Sequence, residues 1–327
     1  LKNFKLQTIH NPQVSFQNIT YDEIGKSRIS GFHDDQVYLT LMSIYDEDKR
    51  LATFIIHNVH PTVLSADVPF FSSEFPGYTL KKLVELYPNE AFTWGTGASG
   101  DISTRFTRDG QDYESMVKLA EKLVNKISEL LQKDCEKIPL EMIYHEEMFE
   151  YEHDFHEIDL SSIRDDLSPR EQLSIEYGKI LRAQLQETKD VINEIQLASL
   201  RIGPYRIVFY PNEIFSQYLE NIDINTEMLV SYSNGYGPYI LPINSPYLTY
   251  ESFCDTCHQC INCCICKGML RSVHVYMHRL YRMLYRCNLL QHRFLLPMLL
   301  SLCLLCAAHR KQSMRSCCLQ WSCRRGR

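Results

Sequence analysis

The sequence predicts an α/β protein, with a mixed β-sheet flanked by helices in a single domain over residues 1–253. Apolar strand-like runs alternate along the chain with amphipathic helical patterns, as in α/β folds. The 327 residues are 45% hydrophobic and 23% charged, which is ordinary for a soluble globular protein with a large core. Short polar loops directly follow several predicted strands, and α/β folds assemble their sites at such positions.

The first elements are predicted to form a β-hairpin. Residues 37–41 alternate in polarity, and the apolar run at 51–56 follows a charged turn at 46–50. The second strand leads to His57 and His60 and then to a loop rich in Pro and Ser. A strand that ends in a polar loop can deliver side chains to a site, although a histidine there is more often a packed core or loop residue. Whether these histidines belong to a site or to the core depends on which partners the rest of the chain supplies.

The middle of the chain contains the clearest helix. A short helix is predicted at 79–87 and a glycine-rich loop at 95–103. Between residues 113 and 133 the apolar residues recur at three- and four-residue steps, which predicts a long amphipathic helix. A strand pattern resumes at 138–144.

An acidic segment and a capped helix follow. Residues 146–166 are rich in His, Asp and Glu, and an exposed connector is a better interpretation of them than a metal site. Ser168, Pro169 and Glu171 supply an N-cap, a proline at the first helical position and a capping-box glutamate. The helix that they start presents apolar residues on one side, namely Leu173, Tyr177, Ile180 and Leu181.

The last predicted elements are two strands at 194–202 and 205–210 joined by a Gly-Pro turn, and a buried strand at 228–232. Between them, Asn212 is a plausible N-cap for a helix bearing Phe215.

Four segments share one design, an apolar strand followed by a short polar or glycine-bearing loop. Zinc hydrolases take N and O ligands from separate strand ends and keep an open position for water. His60, Glu213 and a tyrosine suit that chemistry, although no local zinc signature is present. The four loops are residues 57–62, 97–103, 211–213 and 234–239.

Taken together and in order, these segments resemble the neutral/alkaline non-lysosomal ceramidase family, from about Gln36 to Glu251. The matching stretches are HPTVL with SSEFPGY, GASGDIS, RIGPYRIVFYPNEIF, and SNGYGPYILP with TYES. The resemblance implies a zinc-dependent hydrolase that cleaves the amide of ceramide or a related N-acyl lipid. An inactive chain that binds zinc poorly is the other expectation, because this sequence matches at most three of the family's four zinc ligands. It implies one catalytic domain without the C-terminal β-sandwich of the long ceramidases.

The resemblance also implies roles for individual residues. His60, Glu213 and Tyr239 would bind zinc, and we expect the family's other zinc histidine to lie before Leu1. Ser103 stands where the family has its catalytic serine, either as nucleophile or as a hydrogen-bond donor to the oxyanion. Supporting positions around these residues would be His57, Asp101 and Tyr236.

The family expectation for location is secreted or membrane-associated, with a membrane surface as a possible partner and no role for nucleic acid. Residues 254–327 differ in composition from the rest of the chain. They contain 12 of the 13 cysteines, 12 of the 34 Lys and Arg, and one of the 40 Asp and Glu. Translation out of frame, a membrane tail and a metal module are three interpretations of this segment. We predict a Cys-rich basic tail that is not a native domain. An alternative function is a non-catalytic fragment tethered to a membrane by this tail.

Overall fold

A computed structural model of the chain describes residues 9–29, 37–151, 160, 163, 165, 167–187, 193–235, 237, 239–241 and 250–254. Tyr236 and the tail beyond Cys254 lie outside these residues. The predicted α/β class, with a mixed sheet and flanking helices, is confirmed. No helix in the described ranges combines the length and apolar character needed to cross a membrane.

The strands in chain order are β1 (Pro12–Thr20), β2 (Lys26–Ser27), β3 (Tyr38–Asp46), β4 (Lys49–His57), β5 (Ala91–Thr96), β6 (Ile102–Ser103), β7 (Ile138–Pro139), β8 (Met142–Tyr151), β9 (Asn193–Ile202), β10 (Tyr205–Phe209), β11 (Glu213–Ile214), β12 (Glu227–Val230) and β13 (Tyr239–Ile240). The helices are α1 (Glu74–Leu86), α2 (Tyr113–Leu131), α3 (Pro169–Gln186) and α4 (Tyr250–Cys254).

The first sheet has the order β5-β4-β3-β1-β7. The predicted hairpin is confirmed, since β3 and β4 pair antiparallel with Leu39 opposite His57. Strands β4 and β5 pair in parallel, with His57 beside Thr96. Because parallel strands end at the same edge, the loops that follow β4 and β5 leave the sheet side by side.

Helices α1 and α2 cover one face of this sheet. Leu39 and Leu41 of β3 alternate toward that face and join a buried cluster with Leu119 and Leu123 of α2. The predicted helix at 113–133 is thus confirmed, and Asp112 caps it by accepting a hydrogen bond from the Ser115 amide at 2.8 Å. The helical layer anchors the sheet from which the candidate loops emerge.

A second sheet, of order β12-β10-β9-β8, packs on the opposite face. Val14 and Met42 of the first sheet form a buried cluster with Ile207 and Met228 of the second. The predicted pair β9–β10 is antiparallel, and β10 and β12 are parallel. The mixed pairing brings the end of β12 close to the end of β5, where the Ser231 amide donates to the Thr96 carbonyl at 2.7 Å.

The interpretation of residues 146–151 as a connector is wrong. Strand β8 continues through them and pairs with β9 along its whole length, from Met142 to Tyr151. As an edge strand it is solvated enough to carry charged side chains such as Glu146 and Glu147, and their charge misled the sequence prediction. Most of the remaining predicted connector lies outside the described residues.

Helix α3 begins with the predicted capping box of Ser168 and Glu171. Its apolar stripe, however, is exposed, since Leu173, Tyr177 and Ile180 each retain more than half of their accessible surface. The buried side instead includes Gly178, where an added Cβ would contact the Phe253 ring of α4 at 3.0 Å. The face of α3 that is buried is therefore the one that packs against Phe253, and not the one that carries the apolar stripe.

Candidate functional site

The loop after β4 and the loop after β5 meet at His60 and Ser103. These two residues form an isolated parallel β-bridge, and the His60 amide donates to the Ile102 carbonyl at 3.4 Å. Ser103 is also the last residue of β6, which pairs with β2. The histidine and the serine are therefore placed by backbone pairing and not by a flexible loop alone.

The other two polar loops join the same place. Strands β11 and β13 pair in parallel, with Glu213 directly beside Tyr239. The Gly100 amide donates to the Ile214 carbonyl at 2.8 Å, and a Cβ at Gly100 would overlap the Phe215 ring. Glycine is needed there because the two backbones approach so closely. All four loops of the predicted set are in contact.

Asn212 does not cap a helix, contrary to the sequence prediction. The next residue, Glu213, enters strand β11, and the helical turn at Ser216–Asn221 begins only after Phe215. Pairing with β13 takes precedence over the local capping signal, and it fixes the direction of Glu213.

His60, Glu213 and Tyr239 form the centre of the site. His60 Nε2 lies 3.5 Å from Glu213 Oε1, and the Tyr239 side chain hydrogen-bonds the Glu213 carboxyl. Glu213 is 4% exposed and His60 is half-buried. Two buried atoms here, Glu213 Oε1 and His60 Nδ1, have no hydrogen-bond partner among the described residues, and buried polar atoms in folded proteins are usually hydrogen-bonded.

Burial sets the charges of these groups. It lowers the pKa of His60 to about 4, and the nearby Arg28 charge acts in the same direction. Burial also raises the pKa of Glu213 to about 7, against hydrogen bonds from Tyr232 and Tyr239 that lower it. The pKa of Tyr239 lies far above its usual value, because of burial and then the Glu213 charge. Near neutral pH, the His60 imidazole is therefore uncharged and the Glu213 carboxyl is only partly ionised. No positive charge on His60 balances the ionised form of Glu213.

Ser103 is held by its own loop. It is 7% exposed and caps the helical turn at Thr104–Phe106, where its Oγ accepts a hydrogen bond from the Arg105 amide at 3.2 Å. Asp101 ties the loop to its surroundings, since its carboxylate accepts from Ser27 Oγ at 2.7 Å and from the Ser216 amide at 2.6 Å. The predicted supporting position Asp101 thus links the loop after β5 to two other segments.

His57 lies apart from this cluster. It is fully buried, and its Nδ1 is 2.7 Å from the Tyr38 carbonyl oxygen, so this nitrogen carries the proton and donates. Its ring neighbours are Tyr21 and Trp94, at centroid distances of 5.9 and 6.2 Å. Burial lowers the pKa of His57 to about 4. The predicted supporting residue His57 therefore packs in the core between Tyr21 and Trp94.

The sequence prediction missed three residues of the site. Arg28 forms an ion pair with Glu251 at 2.5 Å and donates to the Gly100 carbonyl. Tyr232 hydrogen-bonds Glu213, and its ring lies 6.2 Å from that of His60. Glu251 belongs to the TYES stretch and Tyr232 directly precedes SNGYGPYILP, and both stretches already carried the resemblance, whereas nothing local to Arg28 in the sequence indicates a site.

The side chains present fit a zinc ion. They offer a neutral imidazole, a carboxylate oxygen to which no described residue donates a hydrogen bond, and a phenolic oxygen, and zinc accepts such N and O donors. A cation would also compensate the buried Glu213 charge. Among the described residues, no group of three His, Cys, Asp or Glu side chains could hold a metal, so the tyrosine is needed to complete even three ligands.

No family model and no curated protein matches the chain. Solved structures with a similar fold include two ceramidases. One is a ceramidase complexed with C2, with a TM-score of 0.53, 10% identity, and coverage of 74% of this chain and 50% of that one. The other is the neutral ceramidase from Pseudomonas aeruginosa, with a TM-score of 0.53, 13% identity, and coverage of 74% and 48%. The chain spans about half the length of these proteins, and it has a ceramidase-like fold.

Proposed function

We propose that this chain is a zinc-dependent amide hydrolase that cleaves ceramide or a related N-acyl lipid. One observation carries the proposal. On a ceramidase-like fold, three separate segments bring His60, Glu213 and Tyr239 together beside Ser103.

The three ligands would contribute differently. His60 would offer a nitrogen lone pair, since burial keeps its imidazole neutral. Glu213 would supply the negative charge, and Tyr239, paired beside it, would supply a phenolic oxygen. Zinc held there would polarise the amide carbonyl as a Lewis acid.

Ser103 has two possible roles at this place. As a nucleophile, its Oγ forms a bond to the carbonyl carbon, the C–N bond breaks, and the hydroxyl proton leaves with the amine; water then hydrolyses the ester. As an oxyanion donor, its hydroxyl hydrogen-bonds the carbonyl oxygen while water attacks. Both roles need the hydroxyl next to His60, and the β-bridge between the two residues supports that placement.

The substrate class is supported by the names of the similar structures, one a neutral ceramidase and the other a ceramidase complexed with C2. A lipid amide resides in membranes, so we include in the proposal a secreted or membrane-associated enzyme that works at a membrane surface.

The test is to express the chain, measure its zinc content by mass spectrometry and assay hydrolysis of a fluorescent ceramide. We expect bound zinc in the wild type and in Ser103→Ala, and no zinc in Glu213→Ala. Both variants should lose hydrolysis. The matched control is Glu146→Ala, which removes an exposed carboxylate that accepts a hydrogen bond from Tyr144. Unchanged hydrolysis in both site variants would refute the assignment.

A further inference from the structure

Tyr232 has an unusual backbone. Its φ is +55°, in the left-handed region that non-glycine residues with bulky side chains rarely adopt. Asn234, two residues on, has a φ of +62°, but asparagine tolerates this region far better. Such strain persists only where the surrounding structure imposes it, and it is concentrated at functional sites.

Hydrogen bonds on both sides impose this conformation. The Ser231 amide donates to the Thr96 carbonyl at 2.7 Å, and the Ser233 amide donates to the Tyr210 carbonyl at 2.7 Å. The Tyr232 amide itself donates to the Asn212 carbonyl at 3.4 Å. Tyr232 is therefore fixed to the ends of β5 and β10 and to the loop that carries Glu213.

This backbone directs the side chain into the site. The Tyr232 ring lies 6.2 Å from the His60 ring, at an angle of 34° between the planes. Its hydroxyl hydrogen-bonds the Glu213 carboxyl. The Glu213 Oε1 atom accepts no hydrogen bond from the part of the chain that the structure describes, and it lies 3.5 Å from His60 Nε2.

We infer that Tyr232 is a positioning residue, whose hydroxyl fixes the rotation of the Glu213 carboxylate so that one oxygen faces the metal position shared with His60. Partners of this kind hold metal ligands in orientation, and their loss weakens metal binding about 10- to 100-fold. The strained backbone is retained because a relaxed one would turn the phenol away from Glu213. This inference rests on the proposed zinc function.

The experiment compares two substitutions in the full chain. Tyr232→Phe removes only the hydroxyl, and we expect zinc affinity, measured by competition with a chromophoric chelator, to fall about 10- to 100-fold. Tyr232→Gly removes the side chain and the strain together. We expect it to lower zinc affinity at least as much, because the hydroxyl is lost together with the ring.

Two controls separate this role from a purely structural one. Tyr144→Phe removes an equivalent phenol–carboxylate hydrogen bond on the exposed strand β8, at 2.8 Å from Glu146, and should leave zinc affinity unchanged. Glu47→Gly relieves an exposed left-handed residue, with a φ of +56°, in the turn between β3 and β4, and should also leave zinc affinity unchanged. Wild-type zinc affinity in Tyr232→Phe, with zinc binding lost in Glu213→Gln, overturns the positioning role alone. Absence of zinc binding in the wild type overturns the proposed function and this inference with it.

Discussion

The end of strand β4 and the loop that follows it each contain a histidine, and the two have different environments. His57 and His60 both have a pKa lowered to about 4, chiefly by burial. His57 donates to a backbone carbonyl and contacts aromatic rings, whereas His60 faces Glu213 and bridges to Ser103. A lowered histidine pKa therefore reports burial, and only the partners distinguish a packed residue from a candidate ligand.

The different environments of His57 and His60 predict different roles, one in the stability of the fold and one in zinc binding and hydrolysis. The His57 region should govern the free energy of unfolding, and the His60 region should govern metal binding and hydrolysis. Substitutions in the two regions test this separation.

The largest expected effect is on hydrolysis by His60→Ala. Loss of a ligand removes the several kcal/mol that a Lewis acid contributes to the transition state, so kcat/KM should fall at least about 1,000-fold. Steady-state assays with fluorescent ceramide measure it. The matched substitution His57→Ala should retain zinc in its folded fraction, and equal loss of zinc in both variants would remove the distinction between the regions.

Ser103→Ala should lower kcat at least about 100-fold while zinc content stays at the wild-type level. The size of the loss separates the two roles of Ser103. Loss of one oxyanion donor costs about 100- to 1,000-fold, whereas loss of a serine nucleophile reaches about a million-fold in a serine protease. Wild-type kcat in this variant would exclude both roles.

His57→Ala should reduce the free energy of unfolding by about 2–4 kcal/mol, because it opens a cavity among buried rings and removes the donor to the Tyr38 carbonyl. Urea unfolding followed by circular dichroism measures the change. The same substitution at the half-buried His60 should cost less, and a larger cost there would reverse the comparison.

The pH dependence of stability gives the smallest effect. Unfolded histidine takes up a proton near pH 6.5, whereas folded His57 does so only near pH 4. The unfolded state therefore binds more protons at this site between these values, and the His57 contribution to the free energy of unfolding should fall by up to about 3 kcal/mol as pH drops from 6.5 to 4. Urea unfolding of wild type and His57→Leu at several pH values measures it. His60 and Glu213 contribute equally to both proteins, so the same pH slope in both would rule out the His57 contribution.

Local patterns were sufficient for much of the fold. The periodicity of α2, the capping box at Ser168 and the hairpin of β3 and β4 are each encoded by nearby residues, and the structure agrees. The four polar loops were also visible, because a strand end followed by a polar loop is a local signal.

Contacts between distant segments could not be predicted in this way. The Arg28–Glu251 ion pair joins residues near opposite ends of the described chain. The sequence around each residue does not indicate that the other is its partner. The left-handed conformation of Tyr232 arises from hydrogen bonds to three other segments and opposes the preference of tyrosine. The exposed stripe of α3 follows from its close packing through Gly178.

The proposed function requires that His60, Glu213 and Tyr239 together hold one zinc ion. Anomalous diffraction at the zinc absorption edge, from crystals of the full chain grown with zinc, tests it most directly. We expect a peak at bonding distance, about 2.0–2.2 Å, from His60 Nε2, a Glu213 carboxylate oxygen and the Tyr239 phenolic oxygen. A zinc peak elsewhere in the molecule, with none beside these three atoms, would contradict it.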